Sequence, residues 1–260
     1  MFILKIGGSV ITDKTKLETF KEKIMDGLSV QIKKAEKKLI VVHGAGSFGH
    51  ILADKYKLNR GYKKYSQIKG FSLTHEKVQM LNSYVLKSLN KYDLPAVSIS
   101  PHSIVKLNDH RIEKIDIQVF KDYLEKQFMP VTFGDVVLDK KLGFSICSGD
   151  LLINILAKHF KPEKVIFAID EDGLYTSNPK IDKKAELIKT AEINDLKKLS
   201  TTLDKHADVT GGMSGKINII RDISKFGIDT VLVNGNKPDR LYKVLVGENT
   251  ISTIIQGDRK

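Results

Sequence analysis

Three glycine-rich turns carry the residue types that handle phosphate. The first is Lys5-Ile6-Gly7-Gly8-Ser9, which closes an apolar run. Two adjacent glycines let backbone N–H groups converge on an anion; Ser9 adds a hydroxyl donor and Lys5 a point charge. The alternative is an ordinary tight turn with an exposed lysine. The second is His43-Gly44-Ala45-Gly46-Ser47-Phe48-Gly49-His50, with G-x-G-x-x-G spacing after another apolar run. A dinucleotide fingerprint requires an acidic residue about 20 positions further on, for the ribose. No Asp or Glu lies between Lys55 and His75, so a nicotinamide or flavin site is not expected. What remains is an anion cradle at a helix start, with His50 on the first turn facing the anion, or a structural histidine there. The third turn is Asp208-Val209-Thr210-Gly211-Gly212-Met213-Ser214-Gly215-Lys216. It departs from the G-x-x-x-x-G-K-[ST] loop, because three residues separate Gly211 from Gly215 and Ile217 follows Lys216. It still combines backbone N–H groups with a lysine, unless it is merely a helix-capping loop.

Two acidic segments accompany these turns. Ser148-Gly149-Asp150 opens a helical pattern, where Asp150 either caps the helix or holds an ammonium group in place. Asp170-Glu171-Asp172-Gly173-Leu174-Tyr175 ends a strand pattern and suits the rim of a ribose or base. It lacks the twelve-residue calcium-loop pattern, and no His/Cys ligand spacing occurs, so no protein-held metal is expected.

The elements that position these turns follow from periodicity. Short apolar runs at 2–6, 39–42, 96–99, 129–133, 164–169, 230–233 and 253–255 predict strands. Apolar residues at 3–4 spacing predict helices over 18–35, 74–89, 116–127, 150–159, 193–199 and 215–226. Strands alternating with helices specify an α/β fold with a mainly parallel sheet. Segments 136–138 and 143–146 read as an inserted β-hairpin. Phe160-Lys161-Pro162 breaks the helix pattern and predicts one domain with two lobes, 1–160 and 161–260.

The chain has 260 residues, 41% hydrophobic and 28% charged, which is a globular composition. Its net charge is +12, from 38 Lys and only 5 Arg against 31 acidic residues. Nucleic-acid readers favour Arg forks and aromatic platforms; with Arg scarce and Trp absent, small phosphorylated ligands are the expected partners. The single cysteine, Cys147, excludes a disulfide framework and predicts a reducing cytoplasmic setting. No apolar run reaches about 18 residues, so neither a membrane span nor membrane association is expected.

Taken together these motifs resemble the amino acid kinase superfamily, from residue 2 to the last strand. Within it the chain is most similar to the archaeal isopentenyl phosphate kinases. The resemblance rests on Lys5–Ser9, the 43–50 signature, Lys14 in Ile11-Thr12-Asp13-Lys14, Gly134-Asp135-Val136, Ser148-Gly149-Asp150, Asp170–Tyr175 and the 208–216 loop. It implies a three-layer α/β/α sandwich with an open sheet, a homodimer, an acceptor lobe and an ATP lobe. It implies phosphoryl transfer from ATP with Mg2+ to isopentenyl phosphate, for isoprenoid synthesis by the mevalonate route. On the matching positions it implies Lys5, Gly7, Gly8 and Ser9 at the phosphate-binding start, Lys14 as a transition-state lysine, and Ala45, Gly46, His50 and Gly149 at the acceptor phosphate and phosphate loop. It further implies Asp170, Tyr175, Gly212 and Lys216 at the nucleotide site, with Asp150 positioning lysines. An isoprenoid tail then needs an apolar pocket, for which Phe71, His75, Val78, Gln79 and Asn82 share helical spacing. The competing expectations are a kinase of another small phosphate, phosphonate or amino acid, and a non-catalytic nucleotide sensor.

Overall fold

The computed structural model describes residues 1–13, 15–179, 181–193, 195–196 and 212–259. Its centre is an eight-stranded sheet in the order β12-β14-β13-β9-β1-β2-β6-β3. The strands are β1 (Phe2–Ile6), β2 (Leu39–His43), β3 (Ala96–Ser98), β6 (Met129–Phe133), β9 (Lys164–Ile169), β12 (Thr190–Ala191), β13 (Asp229–Asn234) and β14 (Ser252–Ile255). All pair in parallel except β13 with β14. Every residue of β1, β2 and β6 is buried, as expected where helices cover both faces of a parallel sheet.

Side-chain alternation sorts β1 between two cores. Phe2, Leu4 and Ile6 pack with α1 (Gly8–Ile11), α2 (Glu22–Ala35), α4 (Ser66–Lys91) and α9 (Arg240–Val246). Ile3 faces the other way, toward α6 (Gln118–Glu125), α7 (Gly149–Phe160) and α8 (Gly212–Ser224). The result is the expected three-layer α/β/α sandwich. Lys5 shares the Ile3 face, which aims its stem at α7 and α8. The predicted seam at 160 is the passage from α7 into β9, and β9 pairs with β1 in the middle of the sheet.

The inserted hairpin is β7 (Asp135–Asp139) with β8 (Gly143–Cys147), extended by a second hairpin that sequence patterning did not predict. That second hairpin is β4 (Val105–Asn108) with β5 (Arg111–Ile115); it lies beside β7 in the order β5-β4-β7-β8. Four residues of β4 and the largely exposed sequence Arg-Ile-Glu-Lys-Ile of β5 show no apolar run. Asp139 joins the two turns: its carboxylate accepts backbone N–H groups from Asp109, His110, Lys141 and Leu142 at 2.9–3.0 Å. Helix α4 begins eight residues before the predicted start. Its anchor is Gln67, whose carbonyl takes the N–H groups of Lys63 and Lys64 and whose amide donates to the carbonyls of Tyr56, Lys57 and Gly61. Most of the helix expected over 193–199 lies outside the described residues. Among the described residues, no helix is long and apolar enough to cross a membrane.

Candidate active site

The loops that follow β1, β2, β6, β9 and β13 meet at the carboxyl edge of the sheet, the usual ligand position in open α/β sheets. Hydrogen bonds just past the strand ends zip them together: Gly7 N–H to Ala168 O (2.8 Å), Gly44 N–H to Ile6 O (3.0 Å), Gly134 N–H to His43 O (3.1 Å) and Gly235 N–H to Ile169 O (2.8 Å). The first two glycine turns touch backbone to backbone. A Cβ on Gly8 would lie 2.5 Å from Gly46 N. Gly46 itself has φ +51°, and a Cβ there would meet Thr12 Oγ1 at 2.2 Å. Thr12 completes the join, donating to Gly8 O (2.7 Å) and accepting the Ser47 N–H (3.1 Å).

Beside this junction Asp150 holds two ammonium groups. Lys5 Nζ donates directly to Asp150 Oδ1, and Lys216 Nζ stands 3.8 Å from the same oxygen. Both nitrogens lie over the Phe167 ring, 5.8 and 5.5 Å from its centroid. The sequence left Asp150 open between cap and lysine holder. Ser148 takes the cap, its Oγ accepting the Leu151 N–H at 3.1 Å, which leaves the Asp150 carboxylate for the lysines.

Burial would raise the Asp150 pKa, but Lys216 and Lys5, with His50 adding, hold it down at about 2. Burial, reinforced by Lys216 and opposed by Asp150, lowers Lys5 to about 8. Two lysines on one carboxylate leave surplus positive charge, suited to a polyanion. The expected site residues therefore fall in one place: Lys5, Gly7, Gly8, Gly46, Gly149, Asp150 and Lys216. A Cβ on Gly149 would lie 3.3 Å from Lys5 Cε.

His50 is the fifth residue of α3 (Gly46–Lys55), one turn further in than the sequence placed it, and it is exposed. Ala45 is the residue before α3, and its methyl packs where Gly49 leaves room: a Cβ on Gly49 would be 2.6 Å from it. Ser9 donates to Asp170 Oδ1 (3.0 Å), joining the first turn to the acidic segment. Tyr175 lies in the short strand β10 (Leu174–Tyr175), behind Asp172. Gly212 opens α8, while Lys14 and the loop residues up to Gly211 lie outside the described residues.

Several contributors escaped sequence reasoning. Lys21 donates to Ser9 O (3.0 Å). Asp172 is clamped by Arg240 (2.6 Å) and Asn234 (2.8 Å). No local motif marks Lys21 or Arg240; each arrives by folding from another element. His43 is buried and stacks on Phe133 with centroids 5.2 Å apart; burial pushes its pKa down to about 4, so it is a neutral structural ring.

The proposed tail-pocket stripe divides. Phe71 packs against Phe144 (5.3 Å between centroids) in a cluster with Ala53, Leu58, Val136 and Ile146. Val78 is core, beneath Gly49. His75, Gln79 and Asn82 are turned to polar partners instead: Asp135, Ser100, and His43 with Ser98.

Residues 1–234 match the amino acid kinase family profile. The isopentenyl phosphate kinase of Methanothermobacter thermautotrophicus is 38% identical over 99% of both chains. That of Methanocaldococcus jannaschii is 36% identical over 95% of both. A solved isopentenyl phosphate kinase structure superposes with TM-score 0.87 at 35% identity, covering 98% of this chain and 100% of that one. A substrate complex of an isopentenyl phosphate kinase superposes with TM-score 0.84 at 27% identity, again over 98% and 100%. With its glycine turns, its lysine–aspartate cluster and this full-length similarity, the chain belongs to the amino acid kinase family, among the isopentenyl phosphate kinases.

Proposed function

We propose that the protein transfers the γ-phosphoryl group of ATP to isopentenyl phosphate, giving isopentenyl diphosphate. The supporting observation is the Lys5–Asp150–Lys216 cluster set against two touching glycine turns, in a chain whose full-length relatives carry that activity. A phosphate monoester has a second pKa of about 6 and is already largely dianionic at neutral pH, so no general base is required. The barrier is electrostatic and geometric: two polyanions must meet in line. Lys5 and Lys216 spread positive charge over the transferring group, and Asp150 fixes where they stand. Gly8 and Gly46 hold phosphate oxygens through N–H donors, while Gly7, whose N–H goes to Ala168 O, and Ser9, whose hydroxyl goes to Asp170 Oδ1, shape the phosphate-binding turn. Ala45, Gly46, His50 and Gly149 hold the acceptor phosphate, with His50 as a donor. Asp170, Tyr175, Gly212 and Lys216 hold the nucleotide, with residues 161–260 as the ATP lobe and 1–160 as the acceptor lobe. Lys14 is the remaining transition-state lysine of this assignment. Because Asp150 is already engaged by two ammonium groups, the donors that fit Mg2+ are ATP oxygens and water, where the ion neutralises charge. A cytoplasmic homodimer acting in isoprenoid synthesis accords with this assignment.

The test is an acceptor screen with Mg-ATP over isopentenyl phosphate, dimethylallyl phosphate, uridylate, acetylglutamate and fosfomycin. Isopentenyl phosphate is expected to turn over fastest. Faster turnover of uridylate or acetylglutamate would overturn the assignment, and ATP binding without any product would indicate a sensor.

The acceptor tail goes to the Phe71–Phe144 cluster, which α3 brings within a turn of His50 through Ala53. Burial of apolar surface contributes about 25 cal/mol per Å2, so pocket depth sets chain length. Phe71→Ala is expected to raise kcat/KM for geranyl phosphate relative to isopentenyl phosphate by at least roughly tenfold. An unchanged ratio would place the tail elsewhere.

A further inference from the structure

Three side chains outside the phosphoryl-transfer cluster converge where α4, α5 (Pro101–Ile104) and β7 meet. They are His75, His102 and Asp135. His75 Nδ1 lies 2.8 Å from Asp135 Oδ2. The two imidazoles meet edge to face with centroids 4.2 Å apart. One ligand atom from each of the three residues falls within 4.8 Å of the other two. Two imidazoles and a carboxylate are the donor set of borderline divalent cations such as Zn2+, with further positions left to water.

The surroundings have the second layer that such ligands need. Asp135 Oδ1 is fixed by the Val136 N–H at 2.8 Å. His102 has a hydroxyl at each ring nitrogen, Ser100 Oγ 2.8 Å from Nδ1 and Ser103 Oγ 3.3 Å from Nε2. Either nitrogen can face a cation while the other stays held. Gln79 in turn donates to Ser100 Oγ at 2.7 Å. The Asp135 side chain is fully buried, whereas His102 is exposed, so the site has a fixed floor and an open mouth.

We propose that His75, His102 and Asp135 bind one borderline divalent cation of the Zn2+ or Co2+ class, separate from the Mg2+ that travels with ATP. Bonds of about 2.0–2.2 Å require the ligand atoms to draw closer, and His102, exposed on a four-residue helix, is the group that moves. The ion staples α4 and α5 to the start of β7. Asp135 follows Gly134, where a Cβ would lie 3.1 Å from Gly149 N, so the staple borders the acceptor turn. The three residues are 27, 33 and 60 positions apart, which is why no ligand motif is visible in the chain.

The test uses the full chain, stripped with a chelator and titrated with Co2+ and then Zn2+ in visible spectroscopy and calorimetry. One equivalent per chain is expected, with the intense d–d absorption of tetrahedral Co2+ and a higher Tm. His102→Ala, a surface change that should leave the fold intact, is expected to weaken binding at least roughly tenfold and remove that band. Asp135→Asn should act in the same direction. The exposed His159→Ala serves as a control and should leave the titration unchanged. Binding that survives His102→Ala, binding lost equally in His159→Ala, or no saturable site at all would overturn the proposal.

Discussion

Replacing Lys216 by alanine is expected to lower kcat by roughly a hundredfold or more, about 2.7 kcal/mol of transition-state stabilisation. Lys216 sits in the first turns of α8, 3.8 Å from Asp150 Oδ1 and over the Phe167 ring. The carboxylate and the ring hold it in place, so in the proposed assignment it stands preorganised beside the transferring group before chemistry begins. Groups of this kind act on kcat more than on KM, because their contact strengthens in the transition state. Lys216→Arg should recover little, since a planar fork cannot occupy the point-charge position beside Lys5. Steady-state kinetics at saturating ATP and acceptor would decide this. A near-normal kcat in Lys216→Ala would remove that lysine from the reacting centre.

Asp150→Asn should change the pH profile as well as the rate. In the parent protein burial and Lys216 lower the Lys5 pKa, Asp150 opposes them, and the balance is about 8. The profile of kcat/KM reports the free enzyme, so activity that needs charged Lys5 should fall on an alkaline limb near that pH. Asparagine removes the one group that raises Lys5 and leaves the two influences that lower it. The limb should therefore move to lower pH, with kcat/KM at pH 7.5 reduced by at least on the order of tenfold. A limb that stays fixed while the rate falls would mean that the limb belongs to another group. Stability should follow the same charges. The depressed Asp150 pKa contributes stability above its ordinary value of 3.8, and this is lost as pH falls toward about 2. The depressed Lys5 pKa works in the opposite sense: its buried charge costs stability below pH 8, and the cost is relieved as pH rises from there toward 10.5.

Much of the architecture was legible because parallel strands buried on both faces read as continuous apolar runs. The boundaries of β1, β6 and β9 coincide with those runs. The convergence of the turns in the candidate site was legible where glycine spacing and strand ends are local properties, as at Gly7, Gly8 and Gly46. Asp150 shows the limit of that reasoning. Its two roles differ only by whether Ser148 satisfies the helix end, which requires the φ and ψ of a neighbour. The pattern predicts too late a start for helix α4 because that start lacks a Ser, Thr, Asp or Asn cap; Gln67, a side chain inside the helix, closes the preceding loop instead. Lys21, Arg240 and the His75–His102–Asp135 group were hidden for a third reason. Their partners sit in other elements, 12 to 68 positions away along the chain, and only the fold brings them together.

The contact between Gly8 and Gly46 bears on how such an enzyme can diversify. Because two main chains lean on each other with no side chain between, the distance from one anion cradle to the other behaves as a ruler made of peptide. Its length is set by van der Waals radii and not by rotamers, so it keeps its tolerance when side chains elsewhere are exchanged or agitated by heat. The Phe71–Phe144 cluster has the reverse character, since its depth is written in side chains and can be recut one residue at a time. Under the proposed assignment, acceptors with new tails can therefore be accommodated without recalibrating the reach over which the phosphoryl group travels.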